Sequence, residues 1–382
     1  MKVGLSIVYE GNNYGMLLQA YATQYLIDNM GYETEIIGYR RKGLKGIRLS
    51  PGLLIDCLVL LNKRVKKKLA KEEVLDEIHK MNLEQRKSEA KRFARERLHD
   101  IHVCYGYDEL VESAKKYNAV IVGSDQLWLP ECVFGILRTL RFVPDNVKKI
   151  SYATSLGVSK YPFYCRESAR QFLRRFDCIS VREEQGKAII NSLCDKEVSV
   201  VLDPTYMLTK RQWEHLLPNE REIHLPYVLF YFIGNNEMSK ETAIKFAKDT
   251  GLYSVSILSD ESYSDIDMSY ADQIIVGAGP ERFVNLIRNA EYVLTDSFHG
   301  IAFSIINQKD FYAFYRYSSE SSNSRNSRID NILSTWKLED RLAVSAFSEN
   351  IAPTGIDYTK VDEILEQKRR ESMLFLERAF HE

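Results

Sequence analysis

Tyr292-Val293-Leu294-Thr295-Asp296-Ser297-Phe298-His299-Gly300 begins as an apolar strand and ends abruptly in an acid, a hydroxyl, a histidine and a glycine, with a second apolar run behind it. The residues before the break suit a buried strand, while Ile301, Ala302, Ile305 and Ile306 suit one face of a helix. His299 then sits near a helix N-terminus, where backbone N–H groups and the helix dipole favour an anion. A structural histidine satisfied by its neighbours is the competing reading.

The same alternation of short apolar runs and helical periods extends in both directions and predicts parallel sheets built of βα units. Strands are expected at 3–8, 34–37, 119–122, 149–153, 178–181 and 198–202, and again at 228–233, 254–257, 273–276, 292–294 and 311–314. A polar stretch from Pro218 to Pro226 separates the two series. Residues 1–220 are therefore read as one Rossmann-like domain with a helical insertion at 43–100, residues 221–356 as a second, and 357–382 as a C-terminal helix. The strands end in polar, glycine-containing loops, among them Gly11-Asn12-Asn13-Tyr14-Gly15, Gly123-Ser124-Asp125-Gln126 and Gly277-Ala278-Gly279-Pro280. Any one such loop is an ordinary turn. In open parallel sheets, however, ligands bind beyond the carboxyl ends of the strands, and their recurrence in both halves predicts two α/β domains facing across a cleft.

Length and composition agree with two domains, since 382 residues with 45% hydrophobic content exceed one ordinary core. A formal net charge of -1 gives no global attraction to nucleic acid. Six cysteines without a CxxC pair and seven scattered histidines show no zinc spacing, so a cytoplasmic protein without a metal is expected. The run from Met1 to Tyr9 lacks the features of an export signal. Neither GxGxxG nor GxxxxGK[ST] follows a strand, which argues against dinucleotide and P-loop chemistry.

The motifs taken together resemble the polysaccharide pyruvyl transferases. The resemblance is carried by Asn13-Tyr14-Gly15 with Leu18-Gln19-Ala20-Tyr21, Gly123 to Trp128, Tyr152 to Gly157 and Val181-Arg182-Glu183. It continues through Leu202-Asp203-Pro204-Thr205 with Trp213, Gly279 to Phe283, Thr295 to Gly300 ahead of Phe303-Ser304-Ile305, and Arg328 with Leu333, Leu338 and Arg341. It implies a two-domain fold similar to the GT-B glycosyltransferases and, with it, a C-terminal helix that crosses back onto the N-domain; a dimer contact is the competing use. It also implies phosphoenolpyruvate as donor substrate with no cofactor, a sugar of a surface glycan or of its lipid-linked precursor as acceptor, and a cyclic pyruvate ketal as product.

The residue types suit that chemistry. Guanidinium groups recognise carboxylate and phosphate by paired hydrogen bonds, so Arg182, directly after a strand, is the N-domain candidate for the donor; pairing with Glu183 or Glu184 is its plain alternative. Addition to the enol carbon needs an acid and a base, assigned to His299 and Asp125. Asp125 and Ser124 also suit simple capping. The donor site is completed by Ser297, Phe298, Gly300, Gly279 and Arg328, with Ser297 standing where the resemblance leads to a basic residue. The acceptor is expected against Asn12, Asn13, Tyr14, Ser124, Gln126, Trp128 and Ser155. Asp203, ahead of Pro204, is read as a turn former and kept off the catalytic set.

Two segments stand apart. The apolar run at 53–61, too short to span a bilayer, precedes the basic cluster Lys63, Arg64, Lys66, Lys67 and Lys68, so residues 51–68 would contact an anionic membrane face; a helical hairpin on the N-domain is the alternative. The polar run 318–324, with Arg325 and Arg328, reads as surface or as a lid delivering an arginine. Two other functions fit the same architecture: a nucleotide-sugar glycosyltransferase and a non-catalytic glycan-binding protein.

Overall fold

The computed structural model describes residues 1–42, 77–132, 135–259, 268–316, 326–343 and 355–381. The predicted membrane segment at 51–68 and the polar run 318–325 lie outside them. The N-domain strands are β1 (Lys2–Ser6), β2 (Glu33–Arg40), β3 (Ile101–Tyr105), β4 (Ala119–Val122), β5 (Lys148–Thr154), β6 (Cys178–Val181) and β7 (Val198–Val200). They form one sheet in the order β3-β2-β1-β4-β5-β6-β7. The C-domain strands are β8 (Tyr227–Tyr231), β9 (Tyr253–Ile257), β10 (Gln273–Ile275), β11 (Tyr292–Thr295) and β12 (Asp310–Ala313), in the order β10-β9-β8-β11-β12. Every pairing in both sheets is parallel. Helices cover both faces of such sheets, which is why β4 and β8 are buried at every residue and read as unbroken apolar runs.

Strand β3 is absent from the sequence-based expectation. It is the edge of its sheet, its Ile101 and Tyr105 are exposed and only Cys104 is buried, so it lacks the apolar signal of an interior strand. Strand order reverses between β1 and β4 and between β8 and β11, and these switch points aim the loops after all four strands into the space between the domains.

The helices are α1 (Tyr14–Asn29), α2 (Glu77–Arg97), α3 (Tyr107–Ala114), α4 (Phe163–Leu173), α5 (Glu184–Asn191), α6 (Pro204–Met207), α7 (Lys210–Leu216), α8 (Glu237–Thr250), α9 (Pro280–Asn289), α10 (Phe298–Ile306), α11 (Ser327–Trp336) and α12 (Tyr358–His381). Helix α1 is buried nearly all round because it lies between the N-domain sheet and the C-domain helices α9 and α10. One apolar core therefore crosses the domain boundary: Tyr14 stacks on Phe283 at 4.7 Å and Trp213 meets Phe303 edge-on at 5.1 Å.

Two further elements lock the domains. Helix α2, the described part of the insertion, contacts both. Asn82 Nδ2 donates to the Ser259 carbonyl at 3.0 Å, and Asn82 Oδ1 accepts from the Gly277 N–H at 2.8 Å. Arg86 donates to the Leu258 carbonyl at 3.0 Å and the Asn12 carbonyl at 3.3 Å. Helix α12 runs from the C-domain back to the N-domain, where Ser372 Oγ accepts from the Leu202 N–H at 2.9 Å. There Arg369 also donates to the carbonyls of Tyr206 and Leu208 at 2.6 and 3.0 Å.

Candidate functional site

The polar centre of the cleft is Asp203, whose side chain has no exposure. As N-cap of α6 it accepts at Oδ1 from the Thr205 N–H at 3.1 Å and from Thr205 Oγ1 at 2.7 Å. Its Oδ2 accepts from Ser124 Oγ, after β4, at 2.6 Å and from Arg182 Nη1, after β6, at 2.9 Å. From the C-domain, His299 Nε2 stands 3.8 Å from Oδ1. That separation exceeds a hydrogen bond, so the imidazole is close to the carboxylate without being committed to it. Burial alone would raise the Asp203 pKa, but the His299 imidazole, the Arg182 guanidinium and the Ser124 hydroxyl together hold it well below the usual carboxylate range.

Arg182 is enclosed as completely. Phe298 lies over its guanidinium with 4.3 Å between the central carbon and the ring centre, a cation–π contact, while Glu183 Oε2 is 3.4 Å from Nε and Asp125 Oδ1 is 3.9 Å from Nη2. Burial works against its charge, and Asp203, Glu183 and Asp125 outweigh burial and raise its pKa. Asp125 itself is partly open to solvent, and its φ of 75° puts a non-glycine residue in the left-handed region. Such a conformation costs about 1–2 kcal/mol and persists only where surrounding structure holds it. Here the bulge at the end of β5 does so, bridging Asp125 to Thr154 and passing the Ser155 N–H to the Asp125 carbonyl at 2.9 Å.

His299 occupies the first turn of α10, packed against Gly15 of α1 so closely that a Cβ there would lie 1.8 Å from Nδ1. Only glycine permits that approach. The loop ahead of it is fixed internally: Asp296 accepts the N–H groups of Ile233 and Gly234 at 2.7 Å each, and Thr295 Oγ1 donates to the Tyr231 carbonyl at 2.6 Å. Ser297 caps α10 by accepting from the Gly300 N–H at 3.2 Å, and Gly300 passes so near Thr295 that a Cβ would meet its Oγ1 at 2.6 Å.

The residues expected to hold an acceptor are mostly occupied by structural duties. Trp128 is 1% exposed in the N-domain core, packed on Phe172 and Phe176 with its indole N–H donated to the Arg138 carbonyl at 3.0 Å. Tyr14 is buried at the domain interface, with Arg86 stacked 4.0 Å from its ring centre. Asn13 caps α1 by accepting from the Met16 N–H at 3.2 Å, and the Asn12 carbonyl receives Arg86. Ser124 serves Asp203, and Ser155 donates to Glu183 Oε1 at 2.5 Å. Their side chains pair inward because each follows a buried strand whose end is itself covered. Gln126 differs: with its amide oxygen turned toward Arg328 of α11, it accepts from Nη1 at 2.5 Å and Nε at 3.2 Å across the cleft. Gly279, expected in the donor site, begins α9 instead and lines a separate cavity of about 680 Å³ with Gln85 and Glu89 of α2.

Arg182, Asp203, Phe298 and Arg328 line one cavity of about 290 Å³ between the domains, closed on its far side by Lys368 and Ser372 of α12. Arg182 and His299 thus come from different domains and meet at one carboxylate; Arg182 and that carboxylate line the cavity, while His299 and Asp125 stand behind its wall rather than on it. Among the described residues, the side chains grouped as cation ligands are His102, Cys104 and Glu109, on β3 and α3, and none lines this cavity.

A family model of polysaccharide pyruvyl transferases matches residues 13–319. The chain belongs to that family. Polysaccharide pyruvyl transferases are transferases, and the matched span contains Arg182, Asp203 and His299. No curated protein sequence matches the chain. Among solved structures, the UDP-GlcNAc 2-epimerase of Methanocaldococcus jannaschii is 10% identical over 96% of this chain and 99% of its own, with a TM-score of 0.50. The same enzyme in complex with UDP-GlcNAc and UDP is 12% identical over 97% and 93%, again at 0.50. The glycosyltransferase SnogD from Streptomyces nogalater is 12% identical over 98% and 95%, at 0.43. At such identities the likeness concerns the fold, which is the two-domain GT-B type.

Sequence reasoning missed Asp203 as the hub. An Asp-Pro after a strand reads as a turn, and Asp203 does cap a turn of helix; its second role depends on Arg182, Ser124 and His299 arriving from three other strand ends.

Proposed function

We propose that this pyruvyl transferase takes phosphoenolpyruvate as donor and places its enolpyruvyl unit on two hydroxyls of a sugar, in a glycan or its lipid-linked precursor, as a cyclic ketal. The observation that carries the reading is the meeting of a permanently charged guanidinium and an uncommitted imidazole, from opposite domains, at one buried carboxylate beside a small cavity. Arg182 and Arg328 are the two guanidinium groups on that cavity, suited to the carboxylate and phosphate ends of a three-carbon dianion. Arg328, held by Gln126, takes the part expected of a basic residue at Ser297, whose hydroxyl is engaged as a helix cap.

In the first step a sugar oxygen bonds to the enol carbon and the methylene gains a proton, becoming a methyl group. His299, 3.8 Å from Asp203, supplies that proton, and Asp125, the open carboxylate beside Arg182, takes the proton of the attacking hydroxyl. Asp125 gives its proton up to solvent before the second step, in which the neighbouring hydroxyl bonds to the same carbon, phosphate departs with the carbon–oxygen electron pair, and Asp125 takes the second hydroxyl proton; that proton then leaves to solvent as His299 takes one back, so both groups are restored. A carboxylate near the reacting carbon eases the positive charge that develops there.

The experiment is phosphate release from phosphoenolpyruvate across galactosyl, mannosyl and glucosyl acceptors, with the ketal methyl group followed by proton NMR. Tight binding of a nucleotide sugar with no response to phosphoenolpyruvate overturns the reading. For a lipid-linked acceptor, replacing the five basic residues between Lys63 and Lys68 lowers co-sedimentation with anionic vesicles; unchanged sedimentation removes the membrane contact.

A further inference from the structure

Three residues that line the cavity each carry a buried donor without a hydrogen-bond partner among the described residues: Tyr206 Oη, Trp336 Nε1 and Arg182 Nε. Arg182 Nε is 3.4 Å from Glu183 Oε2 but lacks the alignment of a hydrogen bond. A buried donor left unmade loses its hydration without replacement, so three at one small cavity is an arrangement that a fold retains at a cost. An indole and a guanidinium can only donate. The Trp336 N–H lies near enough to the Tyr206 oxygen to lower its pKa without meeting hydrogen-bond geometry; burial outweighs it and pushes the phenol well above its ordinary pKa, so the phenol keeps its proton to donate. Donors left unmade together at one end of a cavity suit a ligand group that accepts.

The two aromatic residues come from different domains. Tyr206 belongs to α6, three residues after Asp203, and Trp336 is the last residue of α11, beyond the stretch matched by the family model. Their rings lie 4.9 Å apart and both are almost fully buried. Four acidic side chains, Glu183, Glu184, Asp203 and Glu371, share the wall with Arg182, Arg328 and Lys368; Asp203 and Glu183 are engaged by Ser124, Thr205 and Ser155. We propose that the Tyr206–Trp336 end of this cavity is an oxyanion subsite, in which the phenol O–H and indole N–H bind, beside Arg182, one anionic end of the donor. The inference rests on the donor reading above and adds two binding residues to it. The shared chemistry is a carboxylate or phosphate oxygen, and the probes below separate the two.

The test is calorimetric titration of the full chain with phosphoenolpyruvate, pyruvate and inorganic phosphate, for wild type, Tyr206→Phe and Trp336→Phe, beside thermal melts without ligand. Tyr206→Phe is expected to weaken phosphoenolpyruvate about tenfold or more. It should leave the unliganded melting temperature unchanged or raised, because it deletes an unpaired hydroxyl. A parallel loss for pyruvate places the carboxylate at the subsite, and a parallel loss for phosphate places the phosphate there. Trp336→Phe also removes ring volume, so Tyr206→Phe alone decides if the tryptophan variant fails to fold. Wild-type affinity of Tyr206→Phe for all three anions overturns the subsite, as does a lowered melting temperature with affinity unchanged. If phosphoenolpyruvate is never turned over but pyruvate or phosphate still binds in a Tyr206-dependent way, the donor reading falls and the subsite stands. Turnover with an unchanged KM in both variants has the opposite meaning.

Discussion

Replacing Gly15 with alanine puts a methyl group where the His299 ring now rests. The added carbon would lie 1.8 Å from Nδ1, 2.3 Å from Cγ and 2.4 Å from Cε1, whereas ordinary contact begins near 3.4 Å. The imidazole must therefore retreat by about 1.6 Å, or α1 and α10 must part by a similar distance. Neither helix yields easily, because both are buried along their length in the core shared by the two domains. Overpacking of this kind costs about 1–3 kcal/mol of stability, read as a fall of a few degrees in melting temperature. The larger effect falls on chemistry, since a displacement of about 1 Å at a reacting group costs about a hundredfold in rate. Gly15→Ala should accordingly remain folded, with phosphate release from phosphoenolpyruvate down by about a hundredfold in kcat. The NMR chemical shifts of the His299 ring should also change, because the ring leaves its place beside Asp203. A variant with wild-type turnover, melting temperature and His299 chemical shifts would falsify the packing of α1 against α10 on which the site depends.

Asp203→Asn keeps the shape but leaves Arg182 buried against a neutral partner, and should cost about 3 kcal/mol in denaturant titrations at neutral pH. Because the Asp203 pKa is depressed on folding, its contribution is present above the ordinary carboxylate range and lost as pH falls below it, so wild type and variant should converge in acid; a constant difference argues against the ion pair. Glu35 offers the same test away from the cleft. Burial would raise its pKa, but Lys116, Tyr117 and Lys2 hold it down to about 2, so its stabilisation is complete above about 4.3 and fades as pH falls toward 2. Glu35→Gln should therefore lower stability at pH 6 far more than at pH 2, and equal losses at both count against the network. Arg86→Ala removes two donors to buried carbonyls and the cation over Tyr14, and should lower stability by about 3 kcal/mol, with α2 becoming accessible to protease; a loss under about 1 kcal/mol contradicts its role as a strap.

Most of the architecture was legible because a strand buried on both faces leaves a continuous apolar run, and a loop at its end leaves glycines and polar residues. Residues 119–122 and 228–231 show this, and β3 shows the limit, since an edge strand with exposed Ile101 and Tyr105 leaves a weaker trace. The site was legible in part. Arg182 and His299 stand out because a charged or titratable side chain directly after a buried strand is unusual. Ser124, Ser155, Asn13, Tyr14 and Trp128 belong to the same strand-end loops but are turned inward, because whether such a side chain faces ligand or core depends on what packs over it.

The order of strands, the two-domain division and the family motifs are written in local patterns: apolar period, turn residues and their spacing. The role of Asp203, the need for glycine at position 15 and the pairing of Tyr206 with Trp336 are not. They arise from contacts between residues 21 to 284 positions apart, three of them across the domain boundary, and linear spacing carries no information about those distances until the shared core brings the two sheets together.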